Sequence, residues 1–219
     1  MKMTSVCVLP VVAFIPLTTS LADDETPQLH PVEAACIDYE LTGQMQNGTT
    51  RRCHRNFAYE AFEIQDLSVG FGGFSQSMNQ HTITIGDTIY AIDLATNTGT
   101  QTTNPMYDQV VAAMQNTDPA GMADGFITAM GFTATGATKT IADTTCNIYD
   151  SNMMGTACLT DNGLMLEQSI MGNTQTAVSV SIGDGGNDED YTLYQTVTIS
   201  QGPDLSNMPS LQDLMNQGQ

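Results

Sequence analysis

The residues able to do chemistry are few and scattered. His30, His54 and His81 are the histidines of the chain, and each is isolated from the others in sequence. The sequence contains neither Gly-x-Ser-x-Gly, which places a serine on a nucleophile elbow, nor His-Glu-x-x-His, which sets two zinc ligands on one helix face. Acidic pairs are numerous but fall in loop-like stretches, where carboxylates are solvated. The sequence therefore predicts no catalytic residues, no metal ligands and no cofactor, and a protein that is not an enzyme. Arg51, Arg52, His54 and Arg55 hold nearly all the positive charge outside the N-terminal segment, in a chain of net charge −19. Strand alternation puts Arg51 and Arg55 on one face and Arg52 and His54 on the other. One reading makes them cross-strand partners of nearby acids. The other makes Arg51, Arg52 and Arg55 a holder for an anionic head group in an otherwise repulsive field.

Other stretches invite and fail similar tests. Gly183-Asp-Gly-Gly-Asn-Asp-Glu-Asp190 resembles a calcium loop in composition, but lacks the EF-hand spacing and its terminal bidentate glutamate. Val69-Gly-Phe-Gly-Gly-Phe-Ser75 lacks the Lys-Ser/Thr ending of a phosphate loop and reads as a turn or sheet kink. A copper(I) site would need Met-x-x-Met clusters, which are absent. Methionine is still abundant: Met106, Met114, Met122 and Met130 recur along 104–131, and Met153, Met154, Met165 and Met171 follow. These are either core filling or an adaptable apolar surface that re-packs around an acyl chain.

The N-terminus fixes the compartment. Met-Lys-Met, a short apolar run from Val6 to Leu17 and Ser20-Leu21-Ala22 before an acidic start form a signal peptide over 1–22. The apolar run is too short and too interrupted by proline to span a bilayer. The predicted location is periplasmic or secreted, with no transmembrane segment. The acidity excludes an electrostatic grip on nucleic acid or an anionic membrane. Cys36, Cys53, Cys146 and Cys158 remain after cleavage, and an even count in an exported chain argues for two disulfides. Local pairing is preferred: Cys146 with Cys158 across a short loop, and Cys36 with Cys53. A tight turn at Asn47-Gly48 would set Thr42 opposite Cys53, so the second pair needs a longer loop or a bulge.

The elements that must position these residues follow from periodicity. Residues 23–35 read as a mobile leader, 36–203 as one domain, and 204–219 as a tail or short helix. Strands are expected at 37–42, over a long bent region from Thr49 to Ile64, and at 81–85 and 88–92 around Gly86-Asp87. A meander follows at 139–142, 146–149, 155–160, 164–171 and 174–182, and a last strand at 191–200. Val178, Val180 and Ile182 alternate with serines, which predicts one buried and one wet face. Between these runs, 104–131 shows helical spacing in two sets divided at Asp118-Pro119. The expected fold is mainly β (α+β): a curved, unclosed antiparallel sheet, or half-barrel, lidded by a pair of amphipathic helices.

Two blocks carry a family resemblance. Ile37-Asp-Tyr-Glu-Leu-Thr-Gly43 and the stretch from Asp87 to Met106 resemble an exported bacterial family of unknown function similar to the LolA/LppX-like lipoprotein carriers. The resemblance implies a curved sheet with helices over its concave side, across about Cys36 to Ser200. The function expected is binding of an apolar or amphipathic small ligand, such as an acyl chain, between sheet and lid. Met106, Val110, Met114, Met122, Phe126 and Met130 would line it, with Arg51, Arg52 and Arg55 at the head group. The alternative is a structural or protein-interaction module whose sheet is filled by its own core.

Overall fold

Threonine, valine, isoleucine and tyrosine dominate the alternating runs, and these shapes suit a pleated, half-buried surface. The computed structural model describes residues 26–71, 74–105, 107–115, 127–128, 131–151 and 155–203. Strands β1 (Ala35–Gly43), β2 (Gln46–Arg55), β3 (Glu60–Phe71), β4 (Phe74–Ile85), β5 (Thr88–Asp93) and β6 (Thr98–Thr103) form a first meander. Helix α1 (Tyr107–Gln115) follows it. The second meander comprises β7 (Thr133–Ile141), β8 (Thr144–Ser151), β9 (Gly155–Leu159), β10 (Met165–Ile170) and β11 (Asn173–Ile182). A 3-10 turn (Asp188–Tyr191) and β12 (Thr198–Gln201) complete the described chain.

All twelve strands lie in one sheet, in the order β12-β6-β5-β4-β3-β2-β1-β11-β10-β9-β8-β7. β1 joins the two meanders, pairing antiparallel with β2 on one side and β11 on the other. β12 is the exception in direction, running parallel to β6. The sheet is unclosed, since β12 and β7 are its two edges. β7 nevertheless touches β11, although three strands lie between them. In a flat sheet they would stand about 19 Å apart, so this end is rolled. The roll encloses a core of Ile37, Tyr39, Ile141, Cys146, Cys158, Leu164, Leu166 and Ala177, closed by Val32. The Tyr39 hydroxyl donates across β11 to the Met165 carbonyl at 2.7 Å. A second cluster joins Ile127 and Phe132 to Tyr149, Ala157 and Leu159.

The expected lid is corrected. Among the described residues the architecture is one twelve-stranded unclosed sheet, and no pair of amphipathic helices covers it. α1 is one helix there and residues 127–128 are also helical; 116–126 and 129–130, most of the second expected helix, lie outside the described residues, as do the signal peptide and the tail. Helical spacing in 104–131 says which residues share a face, but not that the face lies on the sheet.

Four smaller differences have local causes. The Thr49–Ile64 region is two strands, because Asn56, Phe57 and Ala58 adopt left-handed backbone and reverse the chain without any glycine to announce it. The β1–β2 turn falls at Gln44-Met45: the Asn47 amide donates to the Gly43 carbonyl and its oxygen accepts from the Gly43 N–H, closing the ladder earlier than Asn47-Gly48. Gly48 is required instead because a Cβ there would lie 2.1 Å from the Asp66 carbonyl oxygen of β3. Val178 is the unpaired residue of a β-bulge, since Asp38 pairs Ser179 while Tyr39 pairs Ala177. The bulge breaks the alternation, leaving Val178 58% exposed and Ala177 buried. Finally, 191–197 is not strand; only β12 returns to the sheet.

Candidate functional site

The first meander carries the chemistry on both of its faces. Register decides the state of the arginines. Arg51 lies opposite Asp38, Arg52 opposite Glu63 and Arg55 opposite Glu60. Each guanidinium meets that acid: Arg51 Nε at 3.9 Å from Asp38, Arg52 on Glu63, and Arg55 Nε at 2.6 Å from Glu60. Arg55 also bonds Asp188 and lies 4.0 Å from the centre of the Tyr191 ring, and Arg52 stands over Tyr39 at 5.6 Å. These contacts are the cross-strand partnership that strand pairing favours, and they occupy the cations expected for a head group.

One disulfide lies in each meander. Cys36 and Cys53 are directly opposed across β1 and β2, with Cα atoms 4.1 Å apart. Cys146 and Cys158 join β8 to β9 with Cα atoms 5.4 Å apart. Both bonds are therefore local. Cys36 and Cys53 pack with Phe62 and Tyr191 in a third cluster.

Tyr191 belongs to a strap that the sequence did not signal. The chain leaves β11 beside β1 and reaches β12 at the far edge, so residues 183–197 must cross the first meander. That is at most about 34 Å of sheet, within the roughly 50 Å reach of such a segment. Its path is marked by close approaches: a Cβ on Gly186 would lie 2.9 Å from the Phe62 ring, and Tyr191 meets Phe62 edge to face at 5.0 Å. Tyr194 then lies 5.8 Å from His81. The Tyr191 hydroxyl donates to the Gly185 carbonyl at 2.5 Å, and burial pushes its pKa up to about 12. The strap's acids serve the strap: Asp188 takes Arg55, Asp184 accepts from the Gly186 N–H, and Asp190 accepts from the Asn187 amide.

His81 lies beneath this strap, opposite Ile64 and Ile92. It is fully buried, and no hydrogen bond of good geometry reaches either ring nitrogen among the described residues, although the Asp190 backbone lies close. Burial draws its pKa below the usual histidine value, with the backbone and carboxylate of Asp190 opposing. It is a neutral core ring set edge to face against Phe62 at 5.8 Å. No group of three or more histidine, cysteine or acidic side chains able to hold a metal occurs among the described residues.

The opposite face of the same strands is open. Arg52, His54, Ala58, Ala61, Glu63, Thr82 and Thr84 line a groove of about 370 Å³. Gln80, Ala91, Asp93, Thr98, Thr100, Thr198 and Ser200 line another of about 400 Å³. Thr82 of the first lies opposite Ala91 of the second, so the two adjoin as one trough from β2 to β12, in which Arg52, His54, Glu63, Gln80 and Asp93 stand among small side chains. A third groove, of about 250 Å³, lies at the β1–β2 and β10–β11 turns between Leu41, Met45, Ile170 and Met171.

Of the expected lid residues, Val110 is half-buried on α1 and Met114 falls within α1. Met106, Met122, Phe126 and Met130 lie outside the described residues. Sequence reasoning missed Val32, Tyr191 and His81 as packing residues; the one available signal was an aromatic residue just after a glycine-rich acidic loop.

Fold and surface together define an unclosed-sheet protein with open grooves. No family model and no curated protein matches the chain by sequence. Solved structures do match. An uncharacterized conserved protein from Thermus thermophilus is 6% identical, covering 78% of this chain and 91% of that one, with a TM-score of 0.48. The MucA/MucB complex of Pseudomonas aeruginosa matches at 10% identity over 76% of this chain and 58% of that one, with a TM-score of 0.45. MucB in complex with MucA(peri) matches at 11% identity, over 76% and 56%, with a TM-score of 0.43. This chain thus spans less than two thirds of those MucB-complex chains.

Proposed function

We propose that the protein is an extracytoplasmic, non-catalytic interaction module that receives a protein segment along the trough between β2 and β12. The observation that carries this reading is that the chain fills its own apolar sheet surface. Tyr191 of the strap seals Cys36, Cys53 and Phe62, while Val32 and Leu164 pack into the rolled end. The face left open is broad and lined by threonine, alanine and serine with Arg52, His54, Glu63 and Asp93 among them, a mixed polar surface suited to a peptide backbone and its side chains. Two disulfides support an oxidising compartment. No helix among the described residues is long and apolar enough to cross a membrane. A second reading keeps an apolar or amphipathic small ligand, at the groove where Met171 is 83% exposed beside Met45. Exposed methionine beside an apolar recess is an adaptable binding surface.

Photo-crosslinking in the native compartment tests the choice. Probes at Thr84 and Thr100 should give one discrete protein adduct, and a probe at Asp143 none. Lipid retained in native mass spectrometry, together with no adduct from the trough, would overturn the interaction reading in favour of the second.

A further inference from the structure

Residues 26–34 form a docked segment. The Leu29 N–H donates to the Phe57 carbonyl at 2.8 Å, and the Phe57 N–H donates to the Glu33 carbonyl at 2.9 Å. The leader thus holds the left-handed turn between β2 and β3 from both sides. Its Val32 closes the rolled core. The Gly183 N–H of the strap donates to the Ala34 carbonyl at 2.8 Å, and two histidines complete the attachment. The Val32 N–H donates to His30 Nδ1 at 3.0 Å, and His54 Nε2 donates to the Val32 carbonyl at 3.1 Å. The two rings stand 4.6 Å apart, centre to centre.

This geometry demands a neutral His30, whereas His54 can donate to the Val32 carbonyl in either protonation state. His30 Nδ1 can accept only while its lone pair is free. A proton there replaces the hydrogen bond with two opposed donors and sets a charge beside His54. We propose that the His30–His54 pair is an acid-sensitive latch, which holds residues 26–34 on β2 and releases them, with Val32, on protonation.

On the elements packed against the leader the charged groups are engaged with other partners, Asp184 of the strap accepting from the Gly186 N–H. Glu33 is exposed on the leader; Arg52 of β2 is paired with Glu63 of β3, and Arg55 with Glu60 and Asp188. On the β9–β10 turn, whose Gly163 backbone stands against His30, Asp161 accepts from the Asn147 amide. Burial and the neighbouring His54 draw His30 down to about 4, and burial also lowers His54. A free leader titrates near the ordinary 6.5. Because the latched state holds fewer protons, the latched-to-released ratio falls about tenfold per pH unit between roughly pH 6 and 4.5.

Hydrogen exchange of the full exported chain, corrected for intrinsic rates, reads this directly. From pH 7 to 5, protection of 26–34 should fall at least about tenfold, while the β4–β5 hairpin holds steady. In His30→Asn the side-chain oxygen can accept the same N–H two residues on, so the leader should stay protected at pH 5. Leader protection unchanged with pH in the parent, or lost equally in His30→Asn, would overturn the latch. Should that variant not fold, ring NMR of the parent decides: a His30 pKa well below 6 supports the latch, and one at 6 or above refutes it.

Discussion

Replacing Tyr191 measures whether the strap is structural. Its ring is 5% exposed, lies edge to face on Phe62, and carries Arg55 over its face. Truncating a large buried aromatic costs about 3–5 kcal/mol through lost transfer energy and the cavity left behind. The edge-to-face and cation–π contacts are part of that total and are not added to it. Tyr191→Phe removes only the hydroxyl, which leaves the Gly185 carbonyl without its donor, and should cost about 1 kcal/mol. The two variants therefore separate ring from hydroxyl by a factor of three or more. Urea melts under non-reducing conditions, with the slope checked for constancy, give both values. A Tyr191→Ala loss below about 1 kcal/mol would refute the account, because a strap that merely lies over the sheet has little to lose. Equal losses in the two variants would assign the effect to the hydrogen bond.

Three other outcomes follow from the same structure. Reducing either disulfide should lower stability by about 3 kcal/mol, since each closes a short loop; peptide mapping without reductant should show Cys36 with Cys53 and Cys146 with Cys158. Arg51→Gln should change the urea midpoint little, because its half-exposed pair with Asp38 is worth about 0–1 kcal/mol, whereas Arg55→Gln leaves Glu60 only the Asn56 amide and should cost more. Tyr39, raised to about 12 by burial, holds its proton more tightly folded than unfolded. Its contribution is complete below about pH 10 and is lost as pH rises through 12, so Tyr39→Phe should flatten the alkaline limb of the stability profile.

Short-range features of this protein were legible in its residues. Gly86-Asp87 between alternating runs specified the β4–β5 hairpin, whereas the β10–β11 turn falls at Met171-Gly172, with Asn173 already paired to Ile170. The disulfides followed the same locality, because a short loop brings strand neighbours together whatever the rest of the chain does. The arginines could be matched to acids by ordinary cross-strand logic, although which acid faced which depended on register. Three features depended wholly on the tertiary structure: β1 lying between β2 and β11, β12 returning parallel to β6, and the strap covering Phe62 and His81. Alternation reports that a residue has a buried side, but it is blind to the segment that buries it. Cys53 and Tyr191 are far apart in sequence and share no local signal, and Val178 reads as buried until its bulge with Asp38 and Tyr39 is known. The helical stretch shows the same limit: spacing grouped Val110 and its neighbours on one face, while only the tertiary structure set Ile127 against Tyr149, Ala157 and Leu159.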